Sequence, residues 1–290
     1  MPQQLITIGQ IIDHAWDHYR KHFVELISVS SWLLIVAVLY TVAFAFYPSE
    51  TTITTGQELT LIERLSYYLT LITSLIVVPI IGHWVFIGLT RLTHRQKQEK
   101  KTNLRDLAKS NWKSFLPLVL VNILYALLLF ATLAFLVPGL GLIILSEVAS
   151  ITFIGSLGTI LLILGMFLIL ILVLWWSVRY FFVGYTLLID DQHGRSAFTA
   201  SRKAVGSNFW PVFWRILIPK VLYFFIFASI QFVLGSLLYM LVAGFSGLNL
   251  ELTARLITIS SVFLAVGLSI FMNPLVIITD YLIYQSAKSK

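Results

Sequence analysis

The sequence predicts an all-α polytopic membrane protein: six transmembrane helices, plus three amphipathic helices at the cytoplasmic boundary. Three observations predict it. Of 290 residues, 58% are hydrophobic and 11% charged, with a mean hydropathy of +0.90. A soluble chain is about 45–50% apolar and about 25% charged, so this one is solvated by lipid. Six nearly uncharged stretches each reach the ~20 residues a helix needs to cross a bilayer. Eighteen of the twenty Lys and Arg lie on one side of those stretches. This composition excludes a cytosolic enzyme, a secreted domain and a disordered tail. With no cysteines, disulfides, thiolate catalysis, iron–sulfur ligation and lipid attachment at Cys are excluded too.

The spans run over Leu26–Tyr47, Tyr67–Leu89, Phe115–Val137, Leu157–Trp176, Val221–Val242 and Leu256–Ile278. The first is too long for a signal-peptide core and follows Asp13, Asp17 and Glu25, so it reads as a retained span. Arg20 and Lys21 precede it, eight basic residues lie between Arg91 and Lys113, six between Arg179 and Lys220, and Lys288 and Lys290 close the chain. The other side holds Arg64 and Arg255 with Glu50, Glu58, Glu63, Glu147 and Glu251. By the positive-inside rule both termini are cytoplasmic. Pro138-Gly139-Leu140-Gly141 ends the third span, and the apolar Leu142–Ile154, too short to cross, is expected on the outer face or dipping into it.

Each cytoplasmic segment reads as an amphipathic stretch, an aromatic and then a span. Aligned on Phe23, Phe115 and Phe209, the spacings are 92 and 94 residues, which predicts a threefold parallel repeat within a single domain, with units at 8–92, 100–189 and 196–284. In the first unit Ile8, Ile11, Ile12, Ala15, Trp16, Tyr19 and Phe23 recur at helical spacing opposite Asp13, His14, Asp17 and His18, which suits a helix lying in the membrane plane. The second, around Leu104–Trp112, is strongly basic; the third, around Ala197–Val205, is weakly apolar.

The run Arg179-Tyr-Phe-Phe-Val-Gly-Tyr-Thr-Leu-Leu-Ile-Asp190-Asp191, then Gly194, Ala197-Phe-Thr-Ala-Ser201 and Gly206-Ser-Asn-Phe-Trp210, resembles the membrane domain associated with glycerophosphoryl diester phosphodiesterases and related six-span bacterial proteins. Ile8-Gly9-Gln10-Ile11-Ile12-Asp13 and Tyr281-Leu-Ile-Tyr284 resemble its ends. The chain departs from that pattern at Thr199 and Ala200, where basic residues are usual, and at Arg202, where an aromatic is usual. The resemblance implies a fold and a membrane location rather than an activity. Only a short tail follows Ile278, so no phosphodiesterase catalytic domain is expected.

Candidate residues fall into two groups. Lys97, Lys100, Lys101, Arg105, Lys109 and Lys113, with Trp16, Trp112 and Arg179, are candidates for lipid and interface contact: segment 91–113 carries a net charge of +6, and tryptophans mark the headgroup boundary. Arg179 follows Trp175-Trp176 and could snorkel, touch a lipid phosphate or pair with Asp190. Pro79 with His83, and Asn273 with Pro274, are candidates for helix breaks that could coordinate a solute, or for ordinary kinks. Gln231 and Asn122 read as partners in interhelical hydrogen bonds. His14, His18 and His22 have the i, i+4 spacing of a chelating pair, without a convergent third strong ligand, and Asp190–Gly194 reads as a polar turn.

No HExxH, GxSxG, Walker or GxGxxG motif is present, and no Asp or Glu sits mid-span. The expected function is therefore non-enzymatic: a multi-pass protein of a bacterial-type cell membrane, with no cofactor or metal and no nucleic-acid partner. Its basic face and interfacial helices would engage anionic lipid, a protein partner or a second copy. A small-solute transporter or channel with a pathway between the repeats is the alternative. A membrane anchor for a separate phosphodiesterase is a third reading.

Overall fold

The structure is a computed structural model that describes residues 6–49, 52, 54, 56–100, 104–206, 208–244 and 250–288, with backbone alone for 104–110. Among these residues there is no strand, and six helical stretches are long and apolar enough to cross a membrane. In lipid every backbone N–H and C=O must be bonded within its own segment, which is why the apolar runs are helical.

Helix α1 (Ile8–Lys21) starts at a capping box in which Thr7 Oγ1 accepts from the Gln10 N–H and the Gln10 side chain accepts from the Thr7 N–H. Then come α2 (Phe23–Ala45), α3 (Leu61–Lys97), α4 (Leu104–Ala131), α5 (Val137–Ala149), α6 (Thr152–Arg179), α7 (Val183–Asp190), α8 (Arg195–Val205), α9 (Phe209–Gly244) and α10 (Leu250–Lys288). Tertiary contacts divide the chain into two units, Met1–Trp112 with Trp214–Ser289, and Lys113–Phe213.

Unit one is built on a core contributed by Ala15 and Tyr19 of α1, Leu26 and Val29 of α2, Val85, Leu89 and Leu92 of α3, Tyr223 of α9, and Leu275, Ile277 and Ile278 of α10. Its acidic end is closed by polar contacts to the last carbonyls of α2. Ser66 Oγ donates to Ala43 O at 2.5 Å, and the Arg255 guanidinium donates to Ala45 O at 2.7 Å while bonding Glu251 at 2.7 Å. Arg255 thus caps a helix C-terminus, where a cation suits the dipole. Outward-facing side chains stay apolar, as with Leu75 at 72% and Phe232 at 76% exposure, because their solvent is hydrocarbon.

Unit two is a hairpin of α5 on α6, and glycine sets its spacing. A Cβ on Gly139 would stand 2.6 Å from Leu162 N, one on Gly158 2.8 Å from Ile143 N, and one on Gly165 2.5 Å from Phe135 O. Gly158 and Gly165 are seven residues apart, so the same face meets the partner twice and the backbones approach closely. Ser150, in the left-handed region at φ 54°, turns the chain between the helices.

Three expectations are corrected. The basic stretch Leu104–Trp112 is no separate helix; it forms the first turns of α4, which continues through Phe115. Leu142–Ile154 is not a separate segment: most of it belongs to α5, because small residues let it pack along α6. The stripe of α1 is divided. Ile11, Ala15 and Tyr19 are buried against protein while Trp16 stays half exposed, so this helix is docked as well as amphipathic. Phe23 and Phe209 each begin a long helix, whereas Phe115 lies inside one.

The glycine contacts yield a prediction. Gly158→Ala should lower the denaturation midpoint in detergent by the equivalent of about 1–3 kcal/mol of overpacking. Gly141→Ala, whose Cβ meets nothing within 4 Å, should be neutral or slightly stabilising, since Ala is the better helix former. Equal losses in both variants would show that close approach is not what the glycines provide.

Candidate functional site

The basic end of unit one contains a buried polar network. Lys220 Nζ of α9 lies 3.1 Å from Asp280 Oδ2 of α10, with the Asp280 side chain almost wholly buried. One turn along, Tyr223 OH and Thr279 Oγ1 are 3.1 Å apart. Asp280 Oδ1 has no hydrogen-bond partner among the described residues. On α3, Gln96 is held between two helices: its amide donates to Glu25 Oε2 at 2.5 Å, and its carbonyl accepts from His18 Nε2 at 3.0 Å. His94 Nδ1 meets Tyr281 OH at 3.0 Å. The chain before α1 is tied down as well, since the Ile6 N–H donates to Ser286 Oγ and Arg215 Nε donates to Ile6 O.

Burial, reinforced by Lys97, pushes the His18 imidazole down to about 4, against the pull of its Gln96 hydrogen bond. His18 is therefore neutral at pH 7, consistent with a single bonded ring nitrogen. Its ring lies 4.8 Å from that of His22, but it turns inward to Gln96 rather than presenting a chelating pair. No group of three His, Cys, Asp or Glu able to hold a metal occurs among the described residues.

In unit two, α6 ends at Arg179, whose guanidinium lies 4.1 Å from the ring centroid of Trp175. It joins none of the ion pairs present among the described residues, so the pairing with Asp190 is not formed. The Asp190–Gly194 turn is closed locally: Asp191 adopts φ 55°, Gln192 N–H returns to Thr186 O, and His193 Nδ1 bonds Asp191 O.

Of the lipid candidates, Lys97, Lys100 and Lys113 are exposed. Trp112 is exposed too and its ring lies 4.9 Å from Trp84. Lys101 and the side chains of Arg105 and Lys109 lie outside the described residues. The helix-break candidates are absorbed into helices. A π-helical turn at Thr73–Val77 accommodates Pro79, and His83 Nδ1 donates to Pro79 O at 2.6 Å. Helix α10 runs unbroken through Asn273 and Pro274, and Pro274 is buried. Gln231 lines a groove beside Tyr239 and Ser261.

Sequence reading missed the Lys220–Asp280 pair. The signal was there: opposite charges stand just before the fifth span and just after the sixth, hence at equal depth in an antiparallel hairpin. The His18–Gln96–Glu25 chain left no such trace. No family model matches the chain, and no curated protein or solved structure matches it significantly.

Two predictions follow from these contacts. His18 titrates near 4 when folded and near 6.5 when unfolded. The unfolded state therefore takes the proton first: the contribution is complete above pH 6.5 and is lost as pH falls towards 4. The difference corresponds to about 3 kcal/mol. Denaturation of His18→Gln between pH 7 and 4.5 should show a correspondingly shallower decline than the parent; parallel curves would refute the assignment. Lys220→Met should cost about 3 kcal/mol by stranding the Asp280 carboxylate, and Lys220→Met/Asp280→Leu should regain most of it. A double variant no better than the single one would count against a buried ion pair.

Proposed function

We propose that this chain is a non-enzymatic integral protein of a bacterial-type cell membrane, with both termini cytoplasmic, whose basic face engages anionic lipid headgroups. The observation that carries the reading is the segregation of eighteen of twenty Lys and Arg to one side of six apolar helices. Support comes from the exposure of Lys97, Lys100 and Lys113 beside the exposed Trp112, and of Trp16 on α1. Each Lys or Arg close to an anionic leaflet contributes about 1 kcal/mol, within a Debye length of the surface. A protein partner or a second copy would have to meet the same basic surface. The threefold repeat belongs to this reading through the aromatic spacing and through α1 and α8, each a short helix ahead of a long one. The likeness of residues 179–210 to the six-span family fits the same location. The helices give no support to a solute pathway, since Pro79 is closed by His83 and α10 is continuous.

The test has two parts. Tags at Lys97 and at either terminus should be inaccessible from outside intact cells, and a tag near Ser146 should be accessible. Replacing Lys97, Lys100, Lys101 and Arg105 by Gln should reduce anionic lipid copurified at low salt severalfold, with a smaller difference at moderate salt. Correct insertion with unchanged lipid would sink the lipid role.

A further inference from the structure

We propose that unit two carries a binding site for a single phosphate group, that of a phospholipid headgroup, formed by Arg179, Arg202 and Lys203. The proposal deepens the lipid reading and rests on it for the source of the phosphate. These side chains, with Thr199 and Gly206, line one cavity of about 390 Å³, and no carboxylate is among the lining residues.

The cavity follows from local chain geometry. On α8, Thr199, Arg202, Lys203 and Gly206 recur at i, i+3, i+4 and i+7, so they share a face, while Ala197, Ser201 and Val205 are buried on another. That buried face is clamped to the bend between α6 and α7. Ser201 Oγ donates to Arg179 O at 2.9 Å and accepts from the Phe182 N–H at 3.2 Å, and Thr186 Oγ1 donates to Ala197 O at 3.1 Å. The clamp brings the end of α6, with Arg179, beside the cationic face of α8. Gly206, at φ 51°, ends α8 and leaves no side chain at the cavity wall.

The arrangement lacks an anion. Arg179, Arg202 and Lys203 contribute to one lining, and no carboxylate among the lining residues offsets their charge. Arg179 is held over Trp175, and its Nε, shut off from solvent, has no hydrogen-bond partner among the described residues. A guanidinium presents a fork that matches two phosphate oxygens, and an ammonium adds a point charge. The Thr199 hydroxyl is already given to Arg195 O, so it serves as wall rather than donor. A lipid is favoured over free phosphate because Trp175-Trp176 place Arg179 where hydrocarbon meets headgroups.

The test uses the full chain purified in zwitterionic detergent, titrated with dihexanoyl phosphatidylglycerol or with inorganic phosphate and read by native mass spectrometry. One equivalent of the phospholipid should bind, and Arg202→Gln/Lys203→Gln should weaken it at least tenfold. Those side chains are exposed and the Ser201 and Thr186 bonds remain, so an unchanged melting curve separates lost binding from lost fold. Arg179→Lys, which keeps the charge and removes the fork, should also weaken it. The variant with Gln at 97, 100, 101 and 105 should keep this equivalent, so that failure of the broad surface and failure of this site are told apart. Equal affinity for inorganic phosphate would overturn the lipid assignment. Absence of a bound equivalent, or binding unchanged in Arg202→Gln/Lys203→Gln, would overturn the site.

Discussion

An apolar solvent gives helices no reason to meet. Leu against lipid is about as stable as Leu against Leu, so association has to come from close van der Waals approach or from polar groups that hydrocarbon cannot satisfy. The two units use these two means in different proportion. The hairpin of α5 and α6 is held by glycines that bring backbones together. Unit one combines its apolar core with polar contacts at both ends, from Arg255 over the last carbonyl of α2 to the His18–Gln96–Glu25 chain. Helix α9 makes its polar contacts through Arg215, Lys220 and Tyr223, and its apolar stretch is weakly buried, with 6% covered.

The same constraint sorts the charges. With 11% of residues charged, few are available for structure, and those near the apolar runs have identifiable tasks. Arg255 closes a helix end. Lys220 and Asp280 neutralise each other where two helices run side by side. Breaking such a pair strands a charge at high cost, whereas forming it contributes little net stability, so its value lies in fixing which helices are neighbours. What remains exposed at the basic side is positive and beside tryptophan, the combination that suits an anionic headgroup layer.

Arg179 illustrates how one residue's meaning depends on its surroundings. In sequence it is an arginine after two tryptophans, equally consistent with snorkelling, an ion pair or a lipid contact. The structure leaves it without an ion pair among the described residues, stacks it on Trp175, and brings Arg202 and Lys203 to the same cavity. Those residues lie 23 and 24 positions further along, and only the Ser201 clamp at the α6–α7 bend makes them neighbours.

By itself the sequence determined that the protein is helical, that six of its stretches are long and apolar enough to cross a membrane, and that its positive charge is gathered on one side of them. These are properties of single segments and of composition, which depend on solvent and on hydrogen bonds closed within one helix. Only the tertiary structure decided that Leu104–Trp112 continues into the third long helix, that Val137–Ala149 lies along α6, that Pro79 and Pro274 are accommodated without a break, and that Lys220 meets Asp280. Each of those outcomes turns on the distance between helices or on which polar atoms find partners. Spacing along the chain encodes neither, because in lipid the choice of neighbour is made by a few glycines and a few hydrogen bonds rather than by the long apolar pattern that dominates the sequence.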